Sequence, residues 1–214
     1  AEHLIGISSL VSEGSNDVYN SAYLINHQGN ILSRYDKETL LSLLETPYLS
    51  KNIRIPFLLE NAYGSFKYGS NNAPLKSENG DLGVLICNET STAYEAMKSV
   101  NHGAKLLINL SNDTWFENTH FINWHFHVCR LRAVETGKDM IINSNRGIGG
   151  IIRGDGKIEV QQTSNKPICI KGTVKFREHT SLYSKLGDWV IYLGMIVLIF
   201  IFFRKTENSA KAKV

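Results

Sequence analysis

The chain has 214 residues, of which 43% are hydrophobic and 20% charged, a composition typical of a folded protein rather than a disordered one. Its formal net charge of +3 comes from the tail after Phe203, so the rest of the chain is neutral and a basic nucleic-acid-binding face is excluded. The three cysteines are odd in number and widely spaced, which excludes a disulfide framework and a Cys-rich zinc site.

The first part of the chain is predicted to be mostly β-structure. Two strand-like runs, each alternating apolar and polar residues, flank the turn at His27-Gln28-Gly29. Residues 48–80 are rich in Asn, Ser, Gly, Tyr and Pro, which is typical of a loop. The predicted elements, in chain order, are a buried strand 3–11, a hairpin of strands 17–26 and 30–35, a short helix 37–44 and a long surface loop 48–80.

From residue 82 onward, predicted strands and helices alternate, and a second hairpin turns on Gly154-Asp155-Gly156. This order indicates an α/β fold of layered sheets and helices. The predicted elements are strand 82–87, helix 92–102, strand 104–110, loop 111–116, helix 120–136, strand 139–143, and a hairpin of strands 148–153 and 157–162.

The segment Val84–Ser91 is the most informative part of the chain. An apolar strand ends at Cys87, and polar residues follow. Thr92 and Glu95 match a helix-opening capping box, and Gly103 suits a left-handed helix end. A strand, a sharp turn and a helix present a nucleophile well. The alternative interpretation is a buried core cysteine.

The segment Trp189–Phe203 is apolar on every face and is followed by Arg204 and Lys205. The run is shorter than the roughly 20 residues a membrane-spanning helix prefers. With its flanks, residues 181–204 are predicted to form a transmembrane helix; a buried core helix is the alternative. The positive-inside rule then predicts that tail 205–214 is cytoplasmic and that the preceding domain lies on the outer side.

Several clustered motifs resemble those of the nitrilase superfamily and, within it, the apolipoprotein N-acyltransferase family. The resemblance covers nearly the whole chain. The matching segments are Tyr35-Asp36-Lys37, Ile86-Cys87-Asn88-Glu89, Asn109–Phe116, His125 with Arg130–Gly137, Asn145–Ile148 before the second hairpin, and Gly187-Asp188-Trp189.

The resemblance implies a four-layer αββα sandwich over residues 1–180, lacking its first strand, followed by one carboxy-terminal transmembrane helix. It implies an acyltransferase that moves a fatty acyl chain from a phospholipid, through a cysteine thioester, to the α-amine of an apolipoprotein's amino-terminal S-diacylglyceryl cysteine. The expected location is the outer face of the bacterial inner membrane, and no cofactor is expected.

The same resemblance suggests roles for five residues. Cys87 matches the nucleophile, and Lys37 matches the lysine that stabilises the oxyanion and activates the thiol. The backbone N–H of Asn88 would be a second oxyanion donor. Glu89 matches a site carboxylate, and Glu45 falls where the family has an essential loop glutamate. A thiol needs such neighbours because an ammonium group and a helix amino terminus lower its pKa.

Three departures from the family pattern qualify this interpretation. The family's general-base glutamate would lie upstream of Ala1, so a carboxy-terminal fragment of a longer protein is expected, inactive if it is the complete product. Asn88 stands where the family usually has tyrosine. Ser42-Leu43-Leu44 replaces a Pro-Phe-Gly stretch before Glu45.

Two alternative functions and a metal site are also weighed. The alternatives are a carbon–nitrogen hydrolase of small amides and an inactive membrane-anchored pseudoenzyme that binds lipid or a partner. A metal site is not favoured, because residues that share a helix face are too few and no carboxylate spacing supports one. The metal-ligating residue types considered are His120, His125, His127 and Cys129.

Overall fold

The structure is a computed structural model. It describes residues 1–15, 17–42, 45, 66–70, 73–164 and 166–204, together with the backbone of 48–50, 53–54 and 205–211.

The first three strands form a small antiparallel sheet with the order β1-β2-β3. The strands are β1 (His3–Leu10), β2 (Val18–Ile25) and β3 (Ile31–Asp36), so the predicted strand and hairpin are confirmed. The prediction that the first strand is buried is wrong, because Ile5 is 47% exposed and Ile7 55% exposed. In this sheet β1 is an edge strand, paired with β2 alone.

The predicted helix 37–44 is not present in its described part, 37–42. The backbone N–H groups of Glu38 and Thr39 donate to the Glu89 carboxylate, and that of Leu41 donates to Glu45. In a helix the N–H of Leu41 would donate to the carbonyl of Lys37, but that carbonyl accepts from the backbone N–H of Gly69 instead, so the helical hydrogen bond is not made. Leu43 and Leu44 lie outside the described residues.

The predicted loop 48–80 contains three short strands. They are β4 (Tyr48–Ser50), β5 (Ile53–Arg54), which pairs with β4, and β6 (Leu75–Ser77). β6 pairs with the next strand, and this pairing gives its backbone N–H and C=O groups hydrogen-bond partners. The prediction of a loop did not account for those groups. Residues 55–65 lie outside the described residues.

The remaining strands form a six-stranded mixed sheet with the order β11-β10-β9-β8-β7-β6. Its parallel centre is connected by helices, as the alternation of predicted elements indicated, and its last two strands form the predicted hairpin. The elements are β7 (Gly80–Ile86), α1 (Ala93–Asn101), β8 (Leu106–Asn112), α2 (Phe121–Thr136), β9 (Met140–Asn145), β10 (Ile148–Ile152) and β11 (Ile158–Thr163).

Two apolar clusters hold the layers together. In one, Ala22 and Leu24 of the small sheet pack on Val84 and Ile108 of the large sheet. The other cluster buries residues of α1 and α2, such as Phe126, against the opposite face of the large sheet. The described residues thus form three layers, ββα, rather than the four predicted. The described part of the chain places no helix of a fourth layer on the outer face of the small sheet.

The predicted capping box of α1 is wrong in detail. Thr92 is the N-cap residue, but its side chain makes no capping hydrogen bond. Glu95 instead accepts a 2.6 Å hydrogen bond from the hydroxyl of Thr39, on the loop after β3, which draws the carboxylate away from the helix end. Gly103 follows the helix with φ of +104°, the left-handed conformation that was predicted.

Two helices end the chain, α3 (Leu182–Leu186) and α4 (Trp189–Lys211). The predicted transmembrane helix over 181–204 is not supported, since within the described residues no helix combines the length and the apolar character needed to cross a membrane. The uncharged run, bounded by Asp188 and Arg204, is shorter than the roughly 20 residues that such a helix requires.

The fully buried carboxylate of Asp139 ties the second hairpin to the segment after β11. It accepts hydrogen bonds from Arg153 Nη1 (3.0 Å), Arg177 Nε (2.7 Å) and the backbone N–H groups of Gly154 and Lys175 (both 2.9 Å). Burial alone would raise the pKa of Asp139, but these donors outweigh it and hold the pKa below its ordinary value.

We expect Asp139→Asn to lower the free energy of unfolding at pH 7 by about 3 kcal/mol, because two arginines lose their buried partner. A carboxyl whose folded-state pKa is lowered stabilises the fold above its unfolded pKa, and this stability is lost as the pH falls through the folded pKa. The gap between wild type and variant, measured by urea unfolding, should therefore shrink below about pH 4. The exposed Asp155→Asn is the matched control, within about 0.5 kcal/mol of wild type. An equal gap at pH 7 and pH 3 would contradict the role of the charge.

Candidate active site

The sharp turn predicted at Cys87 is present. Strand β7 ends at Ile86, and Cys87 opens a 3₁₀ turn that runs to Ser91. Cys87 has φ of +52°, in the left-handed region that is uncommon for a residue other than glycine. That conformation costs about 1–2 kcal/mol, so the surrounding contacts must hold it. We call residues Ile86–Glu89 the elbow.

Lys37 lies at the end of β3 and is 1% exposed. Its Nζ donates a 2.6 Å hydrogen bond to Glu45 Oε2, which makes a buried ion pair. Glu45 is held in turn by the backbone N–H of Leu41 (2.7 Å) and by Asn20 Nδ2 (3.2 Å). Two of the predicted site residues, Lys37 and Glu45, are therefore in direct contact.

Glu89 is fully buried and joins the elbow to the loop that follows β3. One carboxylate oxygen accepts from the Tyr35 hydroxyl (2.9 Å) and from the N–H groups of Glu38 (2.7 Å) and Thr39 (3.0 Å). The other accepts from the N–H of Ile86 (2.7 Å). Burial outweighs these donors and raises the pKa of Glu89 to about 7. The side chain lies beneath the elbow and does not line the cavity described next.

Cys87, Lys37 and Glu45 line one cavity of about 480 Å³. Much of its remaining wall is apolar or aromatic, contributed by Gly6, Ile7, Leu41, Phe66, Ile86, Leu110, Trp115 and Phe116. Trp115 is 66% exposed, so the rim of the cavity presents an aromatic ring to solvent.

The side chain of Asn88 points to the loop after β3, where its Nδ2 donates to the carbonyl oxygen of Thr39 (3.3 Å). Asn88 Oδ1 is buried and has no hydrogen-bond partner among the described residues. The side chain is thus used in holding the loop, and the oxyanion role predicted for the backbone N–H of Asn88 stays a prediction.

The expected lowering of the Cys87 pKa is not observed. Burial raises the pKa of the Cys87 thiol above its ordinary value, although the nearby charges of Lys37 and His125 act in the opposite direction. At neutral pH the thiol is therefore mostly protonated, and its proton must be removed before or during nucleophilic attack.

Four buried polar residues behind the elbow were missed as site residues by the sequence analysis. His125, on α2, has both ring nitrogens within hydrogen-bond distance of partners, and Asp113 lies 3.1 Å from its Nδ1. Thr90 and Asn109 contact the Cys87 backbone. The family resemblance covered His125 and the segment containing Asp113 and Asn109 without giving them a role. Polar residues at positions predicted to be buried were the sequence feature that could have identified them.

The residues considered for a metal site do not converge. His125 and Cys129 are buried, whereas His120 and His127 are exposed on the surface of α2 or just before it. Throughout the described part of the chain, no three His, Cys, Asp or Glu side chains are grouped as metal ligands.

Comparison with known proteins extends over most of the chain. The apolipoprotein N-acyltransferase of Geobacter metallireducens is 28% identical over 206 residues, 94% of this chain and 40% of that protein. The one of Rickettsia prowazekii is 30% identical over 200 residues, again 40% of that protein. The one of Allorhizobium ampelinum is 38% identical over 145 residues, 65% of this chain and 27% of that protein. The chain thus spans well under half the length of these relatives.

Solved structures of the nitrilase superfamily share the fold. A carbon-nitrogen hydrolase from Helicobacter pylori aligns with a TM-score of 0.57 at 17% identity, covering 75% of this chain and 57% of that one. Saccharomyces cerevisiae Nit3 aligns with a TM-score of 0.56 at 21% identity, covering 74% and 54%. The family model described as carbon-nitrogen hydrolase matches residues 2–193. The chain therefore belongs to the carbon-nitrogen hydrolase family.

Proposed function

We propose that residues 1–180 carry the acyl-transfer site of a phospholipid:apolipoprotein N-acyltransferase. One observation carries the proposal: a cysteine on a left-handed elbow and a buried Lys37–Glu45 ion pair line the same, mainly apolar cavity. The names of the relatives support the choice of substrates. Both substrates reside in a bilayer, so we locate the reaction at the outer face of the bacterial inner membrane.

In the first half-reaction the Cys87 sulfur attacks the ester carbonyl carbon of a phospholipid. The thiol gives up its proton to a general base, a role for which the family resemblance implies a glutamate. The Lys37 ammonium and the N–H of Asn88 stabilise the oxyanion of the tetrahedral intermediate. The C–O bond then breaks, the proton goes to the leaving oxygen, and a lysophospholipid departs from a thioester on Cys87.

In the second half-reaction the α-amine of the lipoprotein's S-diacylglyceryl cysteine attacks the thioester carbonyl. The C–S bond breaks, the amine loses one proton, and the Cys87 thiol is regenerated as the amide forms. Glu45 serves this chemistry indirectly, because its 2.6 Å hydrogen bond fixes the position of the Lys37 ammonium. The apolar wall of the cavity suits the fatty acyl chain, whose burial is favourable.

Hydrolysis of a small amide is the second candidate function. The amidase from Nesterenkonia, a structural neighbour of this chain, favours it. The two candidates differ in the acceptor, since the hydrolase gives its acyl group to water and releases ammonia. A third candidate, a pseudoenzyme that binds lipid or a partner, predicts neither product. Incubating the purified protein separately with a labelled phospholipid and with a small amide distinguishes the three.

We expect Cys87→Ser to abolish a hydroxylamine-sensitive acyl adduct that wild type forms with a fatty-acyl-labelled phospholipid. A thioester is cleaved by neutral hydroxylamine, whereas an oxygen ester on serine is far more resistant. The exposed Cys169→Ser is the matched control and should label like wild type. Equal hydroxylamine-labile labelling of Cys87→Ser and wild type would refute the nucleophile assignment.

We expect Lys37→Met to lower kcat for acyl transfer by about 10²- to 10³-fold, the usual cost of removing an oxyanion donor. The KM for phospholipid should change much less, because the ammonium acts on charge that develops in the transition state. Lys76→Met is the matched control, since the Lys76 side chain is 73% exposed and lies outside the cavity. A kcat within threefold of wild type would rule out the role of Lys37.

The pH dependence of thiol alkylation tests the protonation state of Cys87. Because burial raises the pKa of Cys87, its alkylation by iodoacetamide should still be increasing above pH 8.5, where an ordinary thiol is half ionised. Lys37→Met should move the midpoint further up, since the ammonium favours the thiolate. Mass spectrometry of the Cys87 peptide gives the rate. A midpoint below pH 7 would contradict this account.

A further inference from the structure

Three side chains converge on the carbonyl oxygen of Cys87. Thr90 Oγ1 donates to it at 3.0 Å, His125 Nε2 at 3.3 Å and Asn109 Nδ2 at 3.4 Å. The donors come from the 3₁₀ turn, from α2 and from β8, and all three residues are buried. We call this arrangement the carbonyl cradle. A peptide carbonyl seldom accepts from three donors, and this carbonyl belongs to the proposed nucleophile.

Because the peptide bond is planar, the carbonyl cradle also fixes the direction of the Asn88 N–H. The described residues contain no cis peptide bond, so the C=O of Cys87 and the N–H of Asn88 point in opposite directions. Because the carbonyl is held against α2 and β8, the Asn88 N–H points away from both. Cys87 itself lines the cavity. The cradle thereby orients the donor that the proposed oxyanion stabilisation uses.

His125 is the member of the cradle with the most extensive support. Its Nδ1–H donates to both carboxylate oxygens of Asp113, at 3.1 and 3.2 Å, and Ser144 Oγ donates to Asp113 at 2.7 Å. Its Nε2–H is shared between the Cys87 carbonyl and Thr90 Oγ1, the latter at 3.1 Å. Both ring nitrogens thus act as donors, which requires the imidazolium form.

The charge of this imidazolium follows from its surroundings. Burial lowers the pKa of His125, but the hydrogen bond to Asp113 and the adjacent Cys129 outweigh burial and raise it to about 10. Asp113 is the charged group that faces His125 from the start of the loop after β8, and Cys87 is the titratable group facing it from the elbow. The positive charge lies close enough to favour the Cys87 thiolate.

We propose that His125, held by Asp113, is a positioning residue of the acyl-transfer site: it fixes the Cys87 carbonyl so that the elbow aims the Asn88 N–H and the thiol at the substrate carbonyl. His125 does not line the cavity and touches no reacting atom. This inference rests on the proposed function, and one arm of its test does not depend on that function.

The test compares His125→Gln with His127→Gln, a matched control on an exposed position of the same helix. Glutamine cannot donate from both ends of an imidazolium, so the link from Asp113 to the Cys87 carbonyl is broken. We expect kcat for acyl transfer to fall at least tenfold, with KM for phospholipid within twofold of wild type. The burst amplitude, taken as the amount of acyl-enzyme that accumulates when no acceptor amine is present, should be unchanged, because it counts correctly folded sites.

Two further variants keep the proposal testable where His125→Gln fails to fold. Asp113→Asn keeps an acceptor for Nδ1–H and removes the charge, whereas Thr90→Val removes one cradle donor at nearly constant volume. Each is expected to lower kcat, by at least threefold, without loss of burst amplitude. Wild-type kcat in these variants, or a reduced amplitude with an unchanged rate constant, would overturn the proposal in favour of a purely structural role.

Alkylation of Cys87 by iodoacetamide at pH 8 is the independent arm. We expect His125→Gln to slow it at least threefold relative to His127→Gln, because the thiolate loses a nearby positive charge. If wild type transfers no acyl group while this difference is present, the proposed function fails, whereas the action of His125 on Cys87 stands. Equal alkylation rates in the two variants would overturn the positioning role.

Discussion

The Glu89 carboxylate joins the two sheets at the candidate site. Cys87 follows a strand of the large sheet, and Lys37 follows a strand of the small sheet. One hydroxyl and three backbone N–H groups, contributed from both sheets and the loop between them, donate to the Glu89 carboxylate. Because the carboxylate is buried, these hydrogen bonds are stronger than they would be at the surface. This buried contact therefore helps to set the separation of the Cys87 sulfur and the Lys37 ammonium.

Burial and ion pairing set the charge states of Cys87 and Lys37 at the candidate site. The Cys87 thiol is kept largely neutral by burial, and the nearby Lys37 ammonium is paired with Glu45. In the proposed reaction, the Lys37 ammonium would therefore act mainly on the oxyanion that develops in the transition state, because its charge does not overcome the effect of burial on the thiol. A protonated thiol is also less prone to oxidation than a thiolate.

The sequence predicted the elements whose pattern is local. The apolar run before Cys87, the hairpin turns at Gly29 and Gly156 and the left-handed Gly103 all follow from the identities of neighbouring residues, and the structure contains them. The assignment of Lys37 and Glu45 to one site came from the family resemblance, because the eight positions that separate them carry no periodic signal of their own.

The sequence could not indicate contacts that link distant segments. Helix 37–44 was predicted from leucine content, but its first hydrogen bond is not made, because the N–H of Leu41 donates to Glu45 and the carbonyl of Lys37 accepts from Gly69, about thirty positions later. The capping box at Thr92 failed for the same reason, since Glu95 is engaged by Thr39. The family-matching segments included His125 and Asp113, but nothing in the sequence showed that the fold brings the two side chains together behind the elbow.

The left-handed backbone of Cys87 has an implication for how this site can change. Glycine is the residue best suited to φ of +52°, so the position carrying the sulfur is one where the chain would be more relaxed without any side chain. Selection for robustness and selection for reactivity consequently pull in opposite directions at a single codon. In relatives that no longer need the proposed activity, we expect Cys87 to be substituted early, with a gain in stability and a loss of the nucleophile.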